Sequence, residues 1–230
     1  MEEQYEFNWI PFEEIGNSKA IKLQLLGDIH VHKTFYKWSN LFDILLHPYI
    51  EALNEGKKLF PNKKHIWYPS AMDGRYYYFK NLPKIYEVVW LGSHTRKYVQ
   101  QLKQDVGLVQ MLKGGKEYIN TLASAKISLN SRGEKDINYK VFEAIGVGTC
   151  SVTDYDPLYE ELGFIDGVNC YFYKNYNECV EKIKLALTNN NWYHIGANGY
   201  NISRNHTYEA RIKRLKNILD KNLEGIKFKE

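Results

Sequence analysis

From Glu87 onward the chain alternates short apolar runs with amphipathic helical stretches, and nothing else in the sequence constrains the fold as strongly. Residues 87–91, 106–112, 126–129, 149–153 and 169–173 read as strands. Helical periods fall over 96–104, 116–123, 177–188, 192–203 and 207–222, with a further helix before the strand at 149. Strands separated by helices pair in parallel through crossovers, so this half predicts a Rossmann-like α/β sheet. The first half is less regular. It offers strands over 19–26, 41–47 and 65–68 and a helix near 49–55, three strands in all. Asn81-Leu82-Pro83-Lys84 reads as a hinge. The expected division is a small α/β part over 1–83, the parallel-sheet domain over 84–205, and a closing helix over 206–230.

The most informative stretch runs from Asp136 to Asp154. On a helical wheel starting at Asp136, Lys140 and Glu143 fall on one side, while Ile137, Val141, Ala144 and Ile145 form an adjoining apolar arc. The arc can pack on a sheet while Lys140 and Glu143 point into a cleft at its edge. Helix geometry alone also permits a merely solvated Glu143. Gly146 and Gly148 are expected to let the chain turn out of the helix, and Asp154-Tyr155-Asp156-Pro157 to close the strand that follows.

Open parallel sheets bind ligands beyond the C-terminal ends of their strands. Gly92, Ser93, His94 and Arg96 stand at one such end and combine small residues with a cation at a helix start, which is phosphate-binding chemistry. In the first half, Gly27-Asp28-Ile29-His30-Val31-His32 ends a strand with titratable groups. His30 and Asp28 are the candidate catalytic residues there, His30 as a proton carrier near neutral pH.

Composition narrows the partners. A formal charge of +4 over 230 residues suits an anionic ligand and is too weak to argue for nucleic acid. Cys150, Cys170 and Cys179 form no CxxC pair, so they read as reduced core residues rather than a zinc site or a disulfide framework. No apolar run is long enough for a transmembrane span, and the acidic start is not a signal peptide, so a cytoplasmic location is expected.

Taken in order, Val141-Phe142-Glu143-Ala144-Ile145-Gly146 through Thr153-Asp154 resembles the donor-binding motif of GT-B glycosyltransferases, particularly the group 1 enzymes that include spore-maturation-type proteins. Gly167-Val168-Asn169, Gly196-Ala197-Asn198-Gly199, His206-Thr207 and Arg211 follow in the family's order. His65 to Asp73 and Val88 to Ser93 are similar to its interdomain segment and first C-domain strand. The resemblance covers roughly residues 19–215. It implies a nucleotide-diphosphate sugar as co-substrate, with Glu143 on the ribose and Arg96, Lys140 and the amides near Asn138 and Tyr139 on the diphosphate. His94 would donate to the same group. Where the family usually carries Arg, Lys140 offers a point charge instead of a bidentate fork. No metal or other cofactor is implied, and Asp154-Tyr155-Asp156 reads as a turn rather than a metal motif. The retaining families' carboxylate two turns before Glu143 is replaced by Lys135. The acceptor, whether saccharide, protein or small molecule, is not named by the sequence. Because the first part is short for a GT-B domain, a degenerate nucleotide-sugar-binding or scaffold protein is the alternative. The stripe Tyr208, Ile212, Leu215, Leu219 would cross back onto the first part or serve a homodimer.

Overall fold

The structure is a computed structural model that describes residues 11–27, 33–92, 99–131 and 137–223. The chain forms two compact units, Met1–Pro69 and Ser70–Glu230. The division falls after Pro69, so the stretch 70–83, expected to belong to the first part, counts with the second unit.

In the first unit, helix α1 (Phe12–Asn17) precedes strand β1 (Leu23–Leu25), and a 3-10 helix (Lys33–Leu41) leads to β2 (Ile44–His47). Helix α2 (Ile50–Leu59) then crosses to β3 (Lys64–Trp67). The three strands pair in parallel in the order β1-β2-β3. The sequence reading extends the second strand back to Leu41; the 3-10 helix occupies that end instead. Leu26, Leu45, Tyr36, Tyr49 and Ala52 form the core on one face.

The second unit holds β4 (Tyr86–Leu91), α3 (Val99–Val106), β5 (Val109–Met111), α4 (Gly115–Ala123) and β6 (Ala125–Leu129). Then come α5 (Tyr139–Gly146), β7 (Cys150–Asp154), α6 (Leu158–Glu161), β8 (Tyr171–Tyr173), α7 (Tyr176–Leu187), α8 (Asn191–Ser203) and α9 (Tyr208–Leu223). All five strands are parallel, in the order β5-β4-β6-β7-β8. Strand β4 is an interior strand, and Val88, Val89, Trp90 and Leu91 are all buried, as a continuous apolar run on a two-sided sheet requires. Val88 and Trp90 join Ile127, Val152 and residues of α3 and α7 on one face, while Val89 and Leu91 join Ala125, Leu122 and Ala144 on the other. The three cysteines are free and buried.

Two local expectations are corrected. The helix does not begin at Asp136: its first residue is Tyr139, capped by Asn138. A wheel gives the phase of a helix but not its start, and Asn138 sets the start by accepting a hydrogen bond from the Lys140 amide at 3.0 Å. Gly146 is also no turn residue. It lies inside α5, and a Cβ there would stand 2.2 Å from Met72 Sδ, so its role is close packing. The turn belongs to Gly148, whose φ of +79° is in the left-handed region.

The glycines of α8 explain why Gly196 and Gly199 sit where they do. A Cβ on Gly196 would stand 2.6 Å from the Gly148 carbonyl oxygen, so α8 rests directly on the turn that leaves α5. The start of α9 is tied down as well. Met72 donates its amide to His206 O, and Tyr208 donates to Met72 O. The buried Arg211 donates to His206 Nδ1 at 3.0 Å. The expected boundary at residue 206 therefore falls inside one continuous unit.

Candidate functional site

In the second unit the chain runs from β4 to β5 on one side, then returns to place β6 on the other side of β4. In open α/β sheets such a reversal marks the crevice, beyond the C-terminal ends of the strands on either side of it, where ligands bind. Gly92 follows β4, Asn130 follows β6, and the N-terminal turn of α5 comes up beside them.

Lys140 reaches across this point. Its Nζ donates to Leu91 O at 2.9 Å, so the ammonium lies against the end of β4. A Cβ on Gly92 would be 3.1 Å from that Nζ, and glycine leaves the space clear. Asn138, Tyr139, Lys140, Glu143 and Gly92 are thus brought onto one helix turn and one strand end. The Lys140 amide is taken by the Asn138 side chain, so it is not among the helix amides open to a ligand. Tyr139 is half-exposed. Ser93, His94, Arg96, Asp28 and His30 lie outside the described residues.

Glu143 is not the solvated helix residue that geometry alone permitted. It is 7% exposed. Tyr118 donates its hydroxyl to Oε2 at 2.8 Å, and Tyr77 also donates to the carboxylate. The two rings meet edge to face at 6.5 Å. Burial raises the Glu143 pKa; the two tyrosine hydrogen bonds and the charge of Lys140 oppose that shift. Burial and the carboxylate likewise push both phenols up, so they remain donors. A carboxylate has about four acceptor positions. Two tyrosine hydroxyls fill two and fix its orientation, leaving two for a ligand with paired hydroxyls.

Tyr77 and Tyr118 were missed from the sequence, and the signal was slight: two tyrosines among 19, far from Glu143 in the chain. Asn130 was missed too. It is buried, donates to Thr153 Oγ1 at 3.3 Å, and its backbone oxygen accepts from Tyr173 at 2.9 Å. Asp156 Oδ1 accepts from the Leu158 amide at 2.9 Å, the geometry of a turn. Tyr77 also lines a cavity of about 690 Å³ with Asp73, Arg75, Tyr200, Arg204 and Tyr208. None of Gly92, Asn138, Tyr139, Lys140 and Glu143 lines it, so the candidate site is the crevice rather than this cavity.

A sequence model described as glycosyl transferase-like matches residues 80–217. Among solved structures, the pneumococcal O-GlcNAc transferase GtfA in complex with UDP and GlcNAc aligns with a TM-score of 0.64 at 14% identity, over 92% of this chain and 54% of that one. Sucrose-phosphate synthase from Thermosynechococcus elongatus aligns with a TM-score of 0.64 at 12% identity, over 95% of this chain and 72% of that one. Anabaena HepE in complex with UDP-glucose gives 0.62 at 12% identity, over 86% and 72%. These identities speak for a shared fold. The chain spans about half the length of the first of these proteins. No curated protein sequence matches it.

Proposed function

Because this chain belongs to the glycosyl transferase-like family and has a GT-B-type fold, we propose that it is a glycosyltransferase that takes a sugar from a nucleotide-diphosphate sugar, without a metal, in the cytoplasm. The observation that carries the reading is Glu143, a buried carboxylate oriented by two tyrosines at the switch point of the sheet, beside the Lys140 ammonium. Its two open acceptor positions suit a ribose diol. The ammonium suits the diphosphate, whose leaving charge must be neutralised by protein groups if no metal is used. Arg96 and His94 are proposed to add to that charge, and Asp28 and His30 to act on the acceptor side. Two of the solved structures that support the reading are complexes with UDP or UDP-glucose.

The first unit favours a second reading. It contributes three strands among its described residues, against five in the second unit. A protein that keeps donor binding and has lost transfer would have this make-up.

A thermal-shift panel of UDP, GDP, ADP, CMP and their sugar conjugates, with and without EDTA, tests both. A ligand that binds only the folded state must raise the melting temperature. The expected result is a rise for one base that EDTA does not change. Absence of a rise with every nucleotide removes the donor site. A rise without consumption of the sugar conjugate in the presence of saccharide acceptors selects the binding protein over the enzyme.

A further inference from the structure

Trp90 carries a buried polar group that the site as described does not use. It is the second-last residue of β4, 7% exposed, and its Nε1 is buried without a hydrogen-bond partner among the described residues. Buried N–H groups are nearly always paired, so an orphan needs an explanation. An indole N–H is a donor only, so the missing partner is an acceptor. Its position narrows the acceptor further. A Cβ built on Gly92 would lie 3.2 Å from Trp90 Nε1 and 3.1 Å from Lys140 Nζ. Two donors, one of them cationic, therefore stand close together on the side of Gly92 where a side chain would be. That place also lies at the switch point, beside the N-terminal turn of the eight-residue helix α5. Two donors facing one space suit an anion with several oxygens better than a neutral carbonyl.

We propose that the Trp90 indole N–H hydrogen-bonds a phosphate oxygen of the bound nucleoside diphosphate, forming with Lys140 a two-donor anion site over Gly92; this rests on the nucleotide-sugar reading. Trp90 is then a binding residue as well as a core residue. Its ring packs among Val88, Ile127 and Val152 on one sheet face, and its N–H serves the crevice.

The chain has five tryptophans, so a ¹H–¹⁵N spectrum of the labelled full chain carries five indole resonances. The one missing in Trp90→Phe assigns Trp90. Titration of the wild-type chain with pyrophosphate, and then with UDP, should move that resonance downfield and saturate. Trp90→Phe keeps most of the ring's packing and should weaken both ligands about tenfold, the usual scale for a hydrogen bond to a charged group. Its other four indole resonances should stay in place, which shows that it folds. If it does not fold, selective ring labelling assigns the wild-type resonance, and the titration alone decides. UDP binding that leaves the Trp90 indole unmoved, or is undiminished in a folded Trp90→Phe, overturns this proposal and leaves the donor-site reading standing. If neither pyrophosphate nor any nucleotide of the panel binds the wild-type chain, both fall together.

Discussion

The two units use the same strand–helix grammar, yet among the described residues only one of them reverses its strand order. In the first, the order β1-β2-β3 advances in one direction, so among the described residues no two strand ends are parted by a reversal. In the second, the chain reverses at β4, with β5 on one side of it and β6 on the other. Their buried polar groups differ in the same way. In the first unit, His47 is fully buried and shares a 2.9 Å hydrogen bond with His65, whose Nε2 meets Phe60 O at 3.0 Å. That cluster ends at one side on the protein's own carbonyl, while His47 Nδ1 has no partner among the described residues. In the second, Glu143 keeps acceptor capacity after both tyrosines have bonded, and Lys140 stands at the end of a strand. A parallel sheet thus does not make a ligand site by itself; a reversal of strand order marks where one forms, beyond the strand ends on either side of it.

The largest expected effect tests how firmly that crevice is held. Gly196→Ala places a methyl against the backbone of the turn that follows α5, which cannot give way without moving α5 itself. The cost should be about 3 kcal/mol. That corresponds to a fall in melting temperature of roughly 6–12 °C at this size. The counterpart in the first unit is Gly56→Ala, whose methyl would stand 2.4 Å from His47 Cε1. A ring can rotate where a backbone cannot, at the expense of the His47–His65 bond, so about 2 kcal/mol is expected. Calorimetry on both variants decides. A Gly196→Ala chain that melts like wild type would mean that α8 does not hold α5 in place.

Next in size is the loss of nucleotide binding in Glu143→Ala, about 1–3 kcal/mol, or roughly 5-fold to 150-fold in Kd. His47→Ala, which removes the His47–His65 bond of the first unit, should lower stability and leave Kd unchanged. Isothermal titration with the nucleotide found in the panel reads both, and equal losses would erase the contrast between the clusters. Much of this site was legible beforehand. Lys140 and Glu143 are three apart on one helix, and a period of 3.6 brings them together wherever the helix begins. Val88 to Leu91 announced a strand because all four residues are apolar. What escaped was whatever depends on chain segments meeting in space. Tyr118 reaches Glu143 from α4, and Tyr77 from a stretch that looked like part of the first domain. Gly146 resembled a turn glycine because sequence cannot show Met72 pressed against it. Trp90 looked like one more core residue because an unpaired N–H has no pattern.

Acid should act in opposite senses through Glu143 and His47. Burial raises the Glu143 pKa, so the folded chain holds the proton more readily than the unfolded one. Its contribution to stability is therefore fully present below the ordinary carboxylate pKa and is lost as pH rises through the raised value. Near pH 7 the ionised carboxylate costs the fold something that a bound ligand would offset. Glu143→Gln keeps an acceptor for the tyrosines and removes that cost, so it should melt roughly 2–4 °C higher at pH 7 while binding nucleotide more weakly. The gain should shrink toward pH 4. In the first unit, His47 is held down to about 4 by burial, followed by the charges of His65 and Lys57, so stability falls as pH drops from about 6.5 toward 4. His206 in the second unit, held down to about 3 mainly by burial, works in the same sense as His47. The Glu143 contribution is therefore read as the difference between wild type and Glu143→Gln across the pH series. A difference that does not change with pH would place the carboxylate in water.

The smallest effect is the most discriminating, because it sets two glycines in matching places against each other. Each sheet's first strand is followed by a Leu–Gly pair: Leu26-Gly27 after β1, and Leu91-Gly92 at the end of β4. A Cβ on Gly27 would meet nothing within 4 Å, whereas one on Gly92 would crowd Lys140 Nζ and Trp90 Nε1. Neither glycine has a positive φ, so alanine strains the backbone at neither position. Lys140 is a flexible side chain and can withdraw its tip. Gly92→Ala should therefore change stability by less than about 1 kcal/mol. It should still weaken nucleotide binding about fivefold, since the displaced ammonium and the filled space are the ones a diphosphate would use. Gly27→Ala should change neither quantity. Equal, unaltered affinities in the two variants would mean that the end of β4 is as empty of function as the end of β1, and the diphosphate would then have to lie closer to the N-terminal turn of α5 than to Gly92.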